Sequence, residues 1–326
     1  MRILVDNGSY DFCNVGDTAM LQVLLDRLRD LKPTARFTVL TADPTALAQH
    51  CLDVTPLPTQ GRRLWLQQRN ILGPLYAALP CCQASLAAAE ECLRLRLTAQ
   101  IARIATARMQ RRGLDTTPMA DYVEALHDAD VEVASGGGYL TDVFDVHAQG
   151  TFHTLRAAQQ RHKPTALFGQ GVGPIERKSL RVKAAAALSH AQLVAVREQR
   201  QGVELLRALG VAHDRIVVTG DDAIELAYRE CPRSPGTGVG VNVRLAAYAD
   251  LDPQQVAVAG RAVKRFATSK AAPLVALPIS FYAGQDDLSS IRRMLGDDAD
   301  VDTSCENAPL SVIRQTGKCR IVLTGS

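Results

Sequence analysis

Three glycine-containing segments hold the residues whose types and spacing could do chemistry: NGSYDFCNVGD at 7–17, SGGGYLTD at 135–142 and GQGVGP at 169–174. Glycine lets a backbone approach a ligand closely and adopt positive φ, so successive N–H groups can point at an anion. Each segment alone could be a tight strand-to-helix turn, but the three together favour a donor-rich pocket for phosphate or carboxylate. The candidate binding residues in these segments are Asn14, Asp17, Gly136, Gly137, Gly138, Gly171 and Gly173.

Charged residues near these segments are the next candidates. Arg197 ends a predicted strand, and a guanidinium suits carboxylate or phosphate in bidentate geometry; an ion pair with Glu198 is an equally good interpretation. Asp142 could orient an acceptor hydroxyl or act as a base, or cap a helix. Asp17 has the same capping alternative, which we prefer there. Arg244 ends the first strand of the second α/β unit and is a further candidate binding residue.

Several familiar sites are excluded or weakly supported by the sequence. The segment GQGVGP has the pattern GxGxG and not GxGxxG, so a dinucleotide site of the usual kind is weakly supported. The sequence has no P-loop, HExxH or GxSxG motif,. The spacing of His147 and His153 matches no usual metal site, so we expect them on a helix surface and expect no metal.

Short apolar runs alternate with amphipathic stretches along the chain. Strands are predicted at 2–6, 36–43, 129–135, 165–170, 191–198 and 214–222, with helices at 17–31, 147–162 and 199–209,. After a Pro- and Gly-rich linker at 229–238 the pattern restarts, with strands at 239–244, 273–280 and 319–326 and helices at 253–269, 285–295 and 308–316,. This alternation predicts parallel sheets with helices on both faces.

The expected fold class is therefore α/β with two Rossmann-like domains. The N-terminal domain spans 1–230 with a helical insertion near 61–118, and the C-terminal domain spans 236–326. Since no helix follows the last strand, we expect the second domain to be incomplete at its C-terminus. Two such units suggest a ligand cleft between domains.

The insertion contains a possible amphipathic stripe. From Gln83 to Arg112, Leu86, Leu93, Leu97, Ile101 and Ile104 follow helical spacing among several arginines. A helix that packs this stripe on the domain, with arginines such as Arg94 in solvent, is the favoured interpretation. The alternative is a basic surface that meets anionic lipid or a lipid-linked acceptor.

The composition restricts the partners and the compartment. A net charge of +3 without a basic tail gives no support for nucleic-acid binding,. We find neither a secretory signal nor an apolar run of transmembrane length. The eight cysteines form no CxxC pair, which favours reduced thiols in the cytoplasm,.

The motifs taken in order resemble the polysaccharide pyruvyl transferase family. They are NVGDTAML, DADVEVASGGGYLTD, GQGVGPI, VREQRQGVELLRALGV and VTGDDAIELA, followed by weaker matches in GVGVNVR and ALPIS. The order and spacing of these motifs together carry the resemblance.

The resemblance implies a fold like that of GT-B glycosyltransferases and transfer of a pyruvyl group from phosphoenolpyruvate to sugar hydroxyls as a ketal, without a cofactor. It places Arg197 at the family's donor-binding arginine, although Gln201 stands where a serine is usual, and Asp142 at the aspartate after the glycine run. The family's acid–base histidine follows a strand like CRIVLTGS, and the sequence stops at Ser326 before it. As given, the chain is therefore expected to lack that group.

Two other functions remain open at this point. One is a GT-B-type glycosyltransferase that uses a nucleotide sugar, and the other is a non-catalytic member of the family. The acceptor, whether a polysaccharide or a lipid-linked glycan precursor, and the oligomeric state are left open, as is peripheral contact with the inner face of a membrane.

Overall fold

Strands and helices alternate along the part of the chain that the computed structural model describes, which comprises residues 1–7, 11–67, 71–230, 234–245, 253–296 and 300–325. The strands are β1 (Arg2–Asp6), β2 (Arg36–Thr41), β3 (Val54–Pro58), β4 (Val131–Ala134), β5 (Gly137–Leu140), β6 (Thr165–Val172), β7 (Leu193–Val196), β8 (Ile216–Val218), β9 (Gly238–Val243), β10 (Leu274–Ala276), β11 (Val301–Asp302) and β12 (Cys319–Gly325).

The α-helices carry the apolar faces that cover these strands. They are α1 (Val15–Leu31), α2 (Pro44–His50), α3 (Thr59–Leu66), α4 (Gly73–Ala78), α5 (Gln83–Arg96), α6 (Thr98–Gln110), α7 (Thr117–Asp128), α8 (Asp145–Gln159), α9 (Lys178–Leu188), α10 (Gln201–Ala208), α11 (Ala223–Glu230), α12 (Pro253–Ser269), α13 (Asp287–Leu295) and α14 (Pro309–Gly317).

The chain divides into two compact units. The first comprises Met1–Asp11 and Met20–Asp222, and the second comprises Phe12–Ala19 and Ala223–Ser326. The first turn of α1 thus belongs to the second unit, which a division of the sequence near residue 230 does not anticipate.

The first unit contains a parallel sheet in the order β3-β2-β1-β4-β6-β7-β8, in which β5 also pairs with β6. Its core strands are apolar because helices cover both faces of a parallel sheet. One core cluster includes Leu167, Val194 and Phe152, and another includes Leu4, Trp65 and Tyr122. The second unit has a parallel sheet in the order β11-β10-β9-β12. The predicted parallel α/β architecture is therefore observed in each unit.

The predicted glycine loops are partly strand. Gly137 and Gly138 lie in β5, and Gly171 lies in β6, where Gly137 is opposite Gln170 and Leu140 is opposite Val172. At these positions the backbone is therefore strand and not a tight strand-to-helix turn. Pairing with a neighbouring strand supplies the order that the glycines do not supply locally.

The insertion is also different from the prediction. The stripe from Gln83 to Arg112 forms two helices, α5 and α6, which are separated at Leu97. Ile101 is buried in the core, whereas Leu97 and Ile104 are 44% and 43% exposed. Arg94, expected in solvent, is 4% exposed and pairs with Glu90 at 3.1 Å.

Candidate anion-binding site

Arg197 is held at the carboxyl end of β7 in the first unit. Its backbone N–H donates to the carbonyl of Gln170 at 3.1 Å, which ties the residue to β6. Its side chain is 30% exposed, so the guanidinium remains partly accessible to solvent. In a parallel sheet, ligands bind beyond the carboxyl ends of the strands, which is where Arg197 lies.

Two glycines leave room for this guanidinium. An ideal Cβ on Gly171 would lie 2.9 Å from Nη2 and 3.0 Å from Nε of Arg197, closer than such atoms approach. An ideal Cβ on Gly138 would lie 3.5 Å from Nη2, which is ordinary van der Waals contact. A side chain at position 171 would therefore displace the guanidinium of Arg197, whereas Gly138 would tolerate a methyl group.

Two carboxylates accompany Arg197. Nε donates to Glu198 Oε1 at 2.9 Å, and Nη1 donates to Asp221 Oδ2 at 3.4 Å. The ion pair with Glu198 that we considered from the sequence is thus present. Because the Glu198 side chain is 50% exposed and that of Asp221 is 33% exposed, both pairs are weak and can exchange for another anion,.

The segment that carries Asp221 is anchored beneath the site. Thr219 N–H donates to Val196 O at 2.9 Å, and buried Asp222 pairs with Arg27 at 2.6 Å. Gly169 has φ of +57°, and a Cβ there would lie 2.4 Å from Asp222 Oδ2. Glycine at 169 thus allows the buried carboxylate to sit against β6.

Three backbone N–H groups of the described glycine segments donate to carbonyl groups within the fold. Gly173 N–H donates to Leu140 O at 2.9 Å, Asp142 N–H to Pro174 O at 3.0 Å, and Ser135 N–H to Asp6 O at 2.7 Å. Gly136 and Gly137 are buried. These three N–H groups are therefore not available to an anion, whereas the guanidinium of Arg197 is partly accessible to one.

Asp142 is bonded to the backbone just ahead of α9. Its Oδ2 accepts from the N–H groups of Glu176 at 2.5 Å and Arg177 at 3.2 Å. These donors lie before α9, which begins at Lys178, and an N-cap side chain accepts from the second or third helical residue,. Asp142 therefore caps neither α9 nor α8, the next helix in the sequence, and the capping alternative is wrong. The catalytic role of Asp142 stays a prediction.

Asn14 immediately precedes α1 and Asp17 lies in its first turn, both within the second unit. Asn14 Oδ1 accepts from the N–H groups of Gly16 at 2.9 Å and Asp17 at 3.4 Å. The Val15 N–H donates to Ile279 O at 2.9 Å, and the Thr18 N–H donates to Asn14 O at 3.1 Å. The N–H groups that an anion would need at this helix start are therefore used by the protein itself.

Arg244 ends β9 in the second unit and contacts a buried carboxylate that the sequence reasoning missed. Its Nε donates to Asp287 Oδ1 at 3.1 Å. Asp287 is 2% exposed, and its Oδ2 accepts from the N–H groups of Ile279 and Ser280, both at 2.9 Å. Its position at the start of α13, far from Arg244 in sequence, gave no signal for this contact.

The two histidines are not on a helix surface, contrary to the prediction. His153 is 3% exposed, and its Nε2 accepts from Trp65 Nε1 at 3.0 Å. The ring of His147 is 4.5 Å from that of Tyr139. Burial lowers the pKa of His153 to about 3 and that of His147 to about 4,. Both rings are therefore neutral near pH 7.

Comparisons with known proteins identify the family of this chain and the class of its fold. The model of the polysaccharide pyruvyl transferase family matches residues 14–326. The chain belongs to this family. Among the residues that the structure describes, no group of three or more His, Cys, Asp or Glu could hold a metal ion.

Solved structures with the same fold are UDP-GlcNAc 2-epimerases. The enzyme from Neisseria meningitidis, bound to UDP-GlcNAc, is 12% identical with a TM-score of 0.55 over 100% of this chain and 78% of that one. The enzyme from Methanocaldococcus jannaschii is 9% identical with a TM-score of 0.51 over 100% and 79%. These similarities confirm the Rossmann-like, GT-B-type α/β fold.

Proposed function

We propose that this chain transfers the pyruvyl group of phosphoenolpyruvate to hydroxyls of a sugar, forming a ketal and releasing phosphate. Membership of the polysaccharide pyruvyl transferase family supports pyruvyl transfer in general. The observation that carries the choice of donor is the partly exposed Arg197 guanidinium packed over Gly171. A guanidinium binds carboxylate and phosphate groups, and phosphoenolpyruvate carries both.

The reaction is balanced without oxidant or reductant. A proton adds to the methylene carbon of the donor, which leaves an oxocarbenium-like centre at the carbon that bears the phosphate. One sugar hydroxyl attacks this carbon and loses its proton, which balances the proton added to the methylene carbon. The C–O bond to phosphate then breaks, and a second hydroxyl adds to the same carbon and loses its proton, which the released phosphate takes up. Each step needs one acid or one base, and the departing phosphate needs a fixed positive charge.

The residues divide between these tasks. Arg197 would hold the donor's anionic groups after exchanging its contacts with Glu198 and Asp221. The family resemblance places Asp142 at the aspartate that follows the glycine run. Asp142 would orient the acceptor hydroxyl from the position that its hydrogen bonds to the Glu176 and Arg177 N–H groups fix. Arg244, oriented by Asp287 in the second unit, is a further proposed binding group. The proposal needs no metal and no cofactor.

The acceptor is proposed to be a sugar or glycan precursor, and a lipid-linked acceptor would bring the chain to the inner face of a membrane. The seven cysteines that the structure describes are free thiols, which supports a cytoplasmic location,. In the described part of the chain, no helix has the length and apolarity needed to cross a bilayer.

Phosphate release from phosphoenolpyruvate by the full-length protein, measured with a panel of glycans, tests the proposal. We expect acceptor-dependent phosphate release with a pyruvylated product detected by mass spectrometry. Transfer from a nucleotide sugar in place of phosphoenolpyruvate would establish the glycosyltransferase alternative. Binding of neither donor, with the fold intact, would support a non-catalytic member.

A further inference from the structure

A long groove runs along the inserted helices α5 and α6. Two adjoining cavities, of about 820 and 560 Å³, share Leu95, Arg96 and Gln160 in their walls. The larger lies between α6 and α7, and the smaller lies between α5 and the pair α8 and α9. Both volumes are within the range of small-molecule sites.

The walls of the smaller cavity contain an apolar strip. Leu95 and Ala88 of α5 contribute one side, and Val182 and Ala186 of α9 contribute the other. Val182 is 69% exposed, a large exposed fraction for a β-branched apolar side chain in a concavity. An apolar chain laid along this strip would remove that surface from water.

Basic side chains border the strip. Arg96, Arg156, Lys178 and Lys183 line the smaller cavity, against the single carboxylate of Glu91. Glu91 pairs with Lys183 at 3.2 Å, and Arg156 donates to the carbonyl of Ala186 at 3.1 Å. Within the described ranges, Arg96 and Lys178 have no ion-pair partner. The local charge is therefore strongly positive in a protein whose net charge is only +3.

We propose that this groove binds an anionic membrane lipid, with the apolar chain on Leu95 and Val182 and the phosphate headgroup at Arg96 and Lys178. An apolar strip beside unpaired cations is complementary to an amphiphile with a negative head. A free anion would gain nothing from the strip, and a neutral lipid would gain nothing from the cations. The proposal goes beyond pyruvyl transfer, and its assay contains neither phosphoenolpyruvate nor a glycan.

Sedimentation with vesicles tests the proposal on the whole chain. We expect binding to phosphatidylcholine vesicles that contain phosphatidylglycerol, and little binding to pure phosphatidylcholine. One basic residue near an anionic surface changes the partition about fivefold, so Arg96→Gln should weaken binding about fivefold and Arg96→Gln with Lys178→Gln about 25-fold. The matched control is Arg207→Gln with Lys32→Gln, which removes two exposed bases away from the groove. Arg96 and Arg207 both lie in the last turn of their helices.

Three results would overturn the proposal. They are absence of binding to the anionic vesicles, equal loss of binding in the control and groove variants, and equal binding to neutral vesicles.

Soluble probes separate the contributions of the lipid's apolar chain and its phosphate headgroup. Dodecyl phosphate below its micelle concentration should protect the Cys92 thiol in the groove wall from alkylation. Inorganic phosphate should not, and equal protection by both would also refute the role of the apolar strip.

Discussion

Replacing Gly171 by alanine should displace the Arg197 guanidinium while the fold is retained. The new methyl group would lie 2.9 Å from Nη2 and 3.0 Å from Nε, so the guanidinium must move. Gly171 lies in β6 and has no positive φ, and the displaced group is the far end of a flexible side chain. We therefore expect the free energy of unfolding to change by less than about 1 kcal/mol.

The effect on donor binding should be much larger. A hydrogen bond to a charged group contributes about 1.5–3 kcal/mol, so loss of one contact to phosphoenolpyruvate corresponds to a weakening of about 10- to 150-fold. Gly138→Ala is the matched control, since its methyl group would lie 3.5 Å from Nη2. Its effect on affinity should stay within about twofold.

Calorimetric titration of phosphoenolpyruvate into the wild type and both variants measures the difference, and thermal unfolding of the same samples checks the fold. Equal affinities for the wild type and Gly171→Ala would refute the idea that the Arg197 guanidinium, in its position against Gly171, binds the donor. An equal loss of donor affinity in Gly171→Ala and Gly138→Ala would show that the space which Gly171 leaves for Arg197 does not determine binding.

Three further changes test His153, Glu132 and Asp142. His153→Gln keeps an acceptor for the Trp65 N–H but cannot titrate. Burial lowers the pKa of His153 in the folded state from 6.5 to about 3, so the unfolded state takes up the proton first and the free energy of unfolding of the wild type falls below pH 6.5 by up to about 1.4 kcal/mol per pH unit,. Denaturant unfolding at several pH values should show a smaller dependence on pH in the variant. Glu132→Gln should stabilise the protein more at pH 8 than at pH 5 in the same assay. Burial raises the pKa of the Glu132 carboxyl well above 4.5, so the wild type loses stability as the pH rises above 4.5,. An equal effect of the substitution at both pH values would contradict this. Asp142→Asn removes the charge that accepts from the Glu176 and Arg177 N–H groups and should lower the free energy of unfolding by about 1 kcal/mol,. A fall in kcat of about 100-fold or more would show proton transfer in addition, and an unchanged kcat would leave these backbone contacts as its only role.

The repeating pattern of apolar strands and amphipathic helices was sufficient to predict the parallel α/β architecture. It failed where tertiary pairing overrides local signals. Strand β3 contains Pro56 and Pro58 and yet pairs with β2, which is possible because it lies at the edge of the sheet,. Strand β5 begins at Gly137, and only its partner β6 makes it a strand.

The candidate site was likewise predicted only in part from the sequence. Arg197 was identified because it follows an apolar strand, and the structure places Gly138 and Gly171 against it. The glycines were interpreted as sources of open N–H groups, but the N–H groups of Ser135, Asp142 and Gly173 donate to carbonyl groups within the fold. Sequence spacing cannot show which residue a missing side chain makes room for, since Gly171 and Arg197 are on different strands. The contact between Arg244 and Asp287 was missed for the same reason.

The most direct test of the central claim compares the affinity of phosphoenolpyruvate for the wild type, Arg197→Gln and Arg207→Gln. Arg207 is an exposed arginine on α10 and serves as the control for loss of one positive charge. We expect micromolar to millimolar binding by the wild type and the control, and a loss of about tenfold or more in Arg197→Gln. Wild-type protein that does not bind phosphoenolpyruvate, or an Arg197→Gln variant that binds it as tightly as the wild type, would contradict the account.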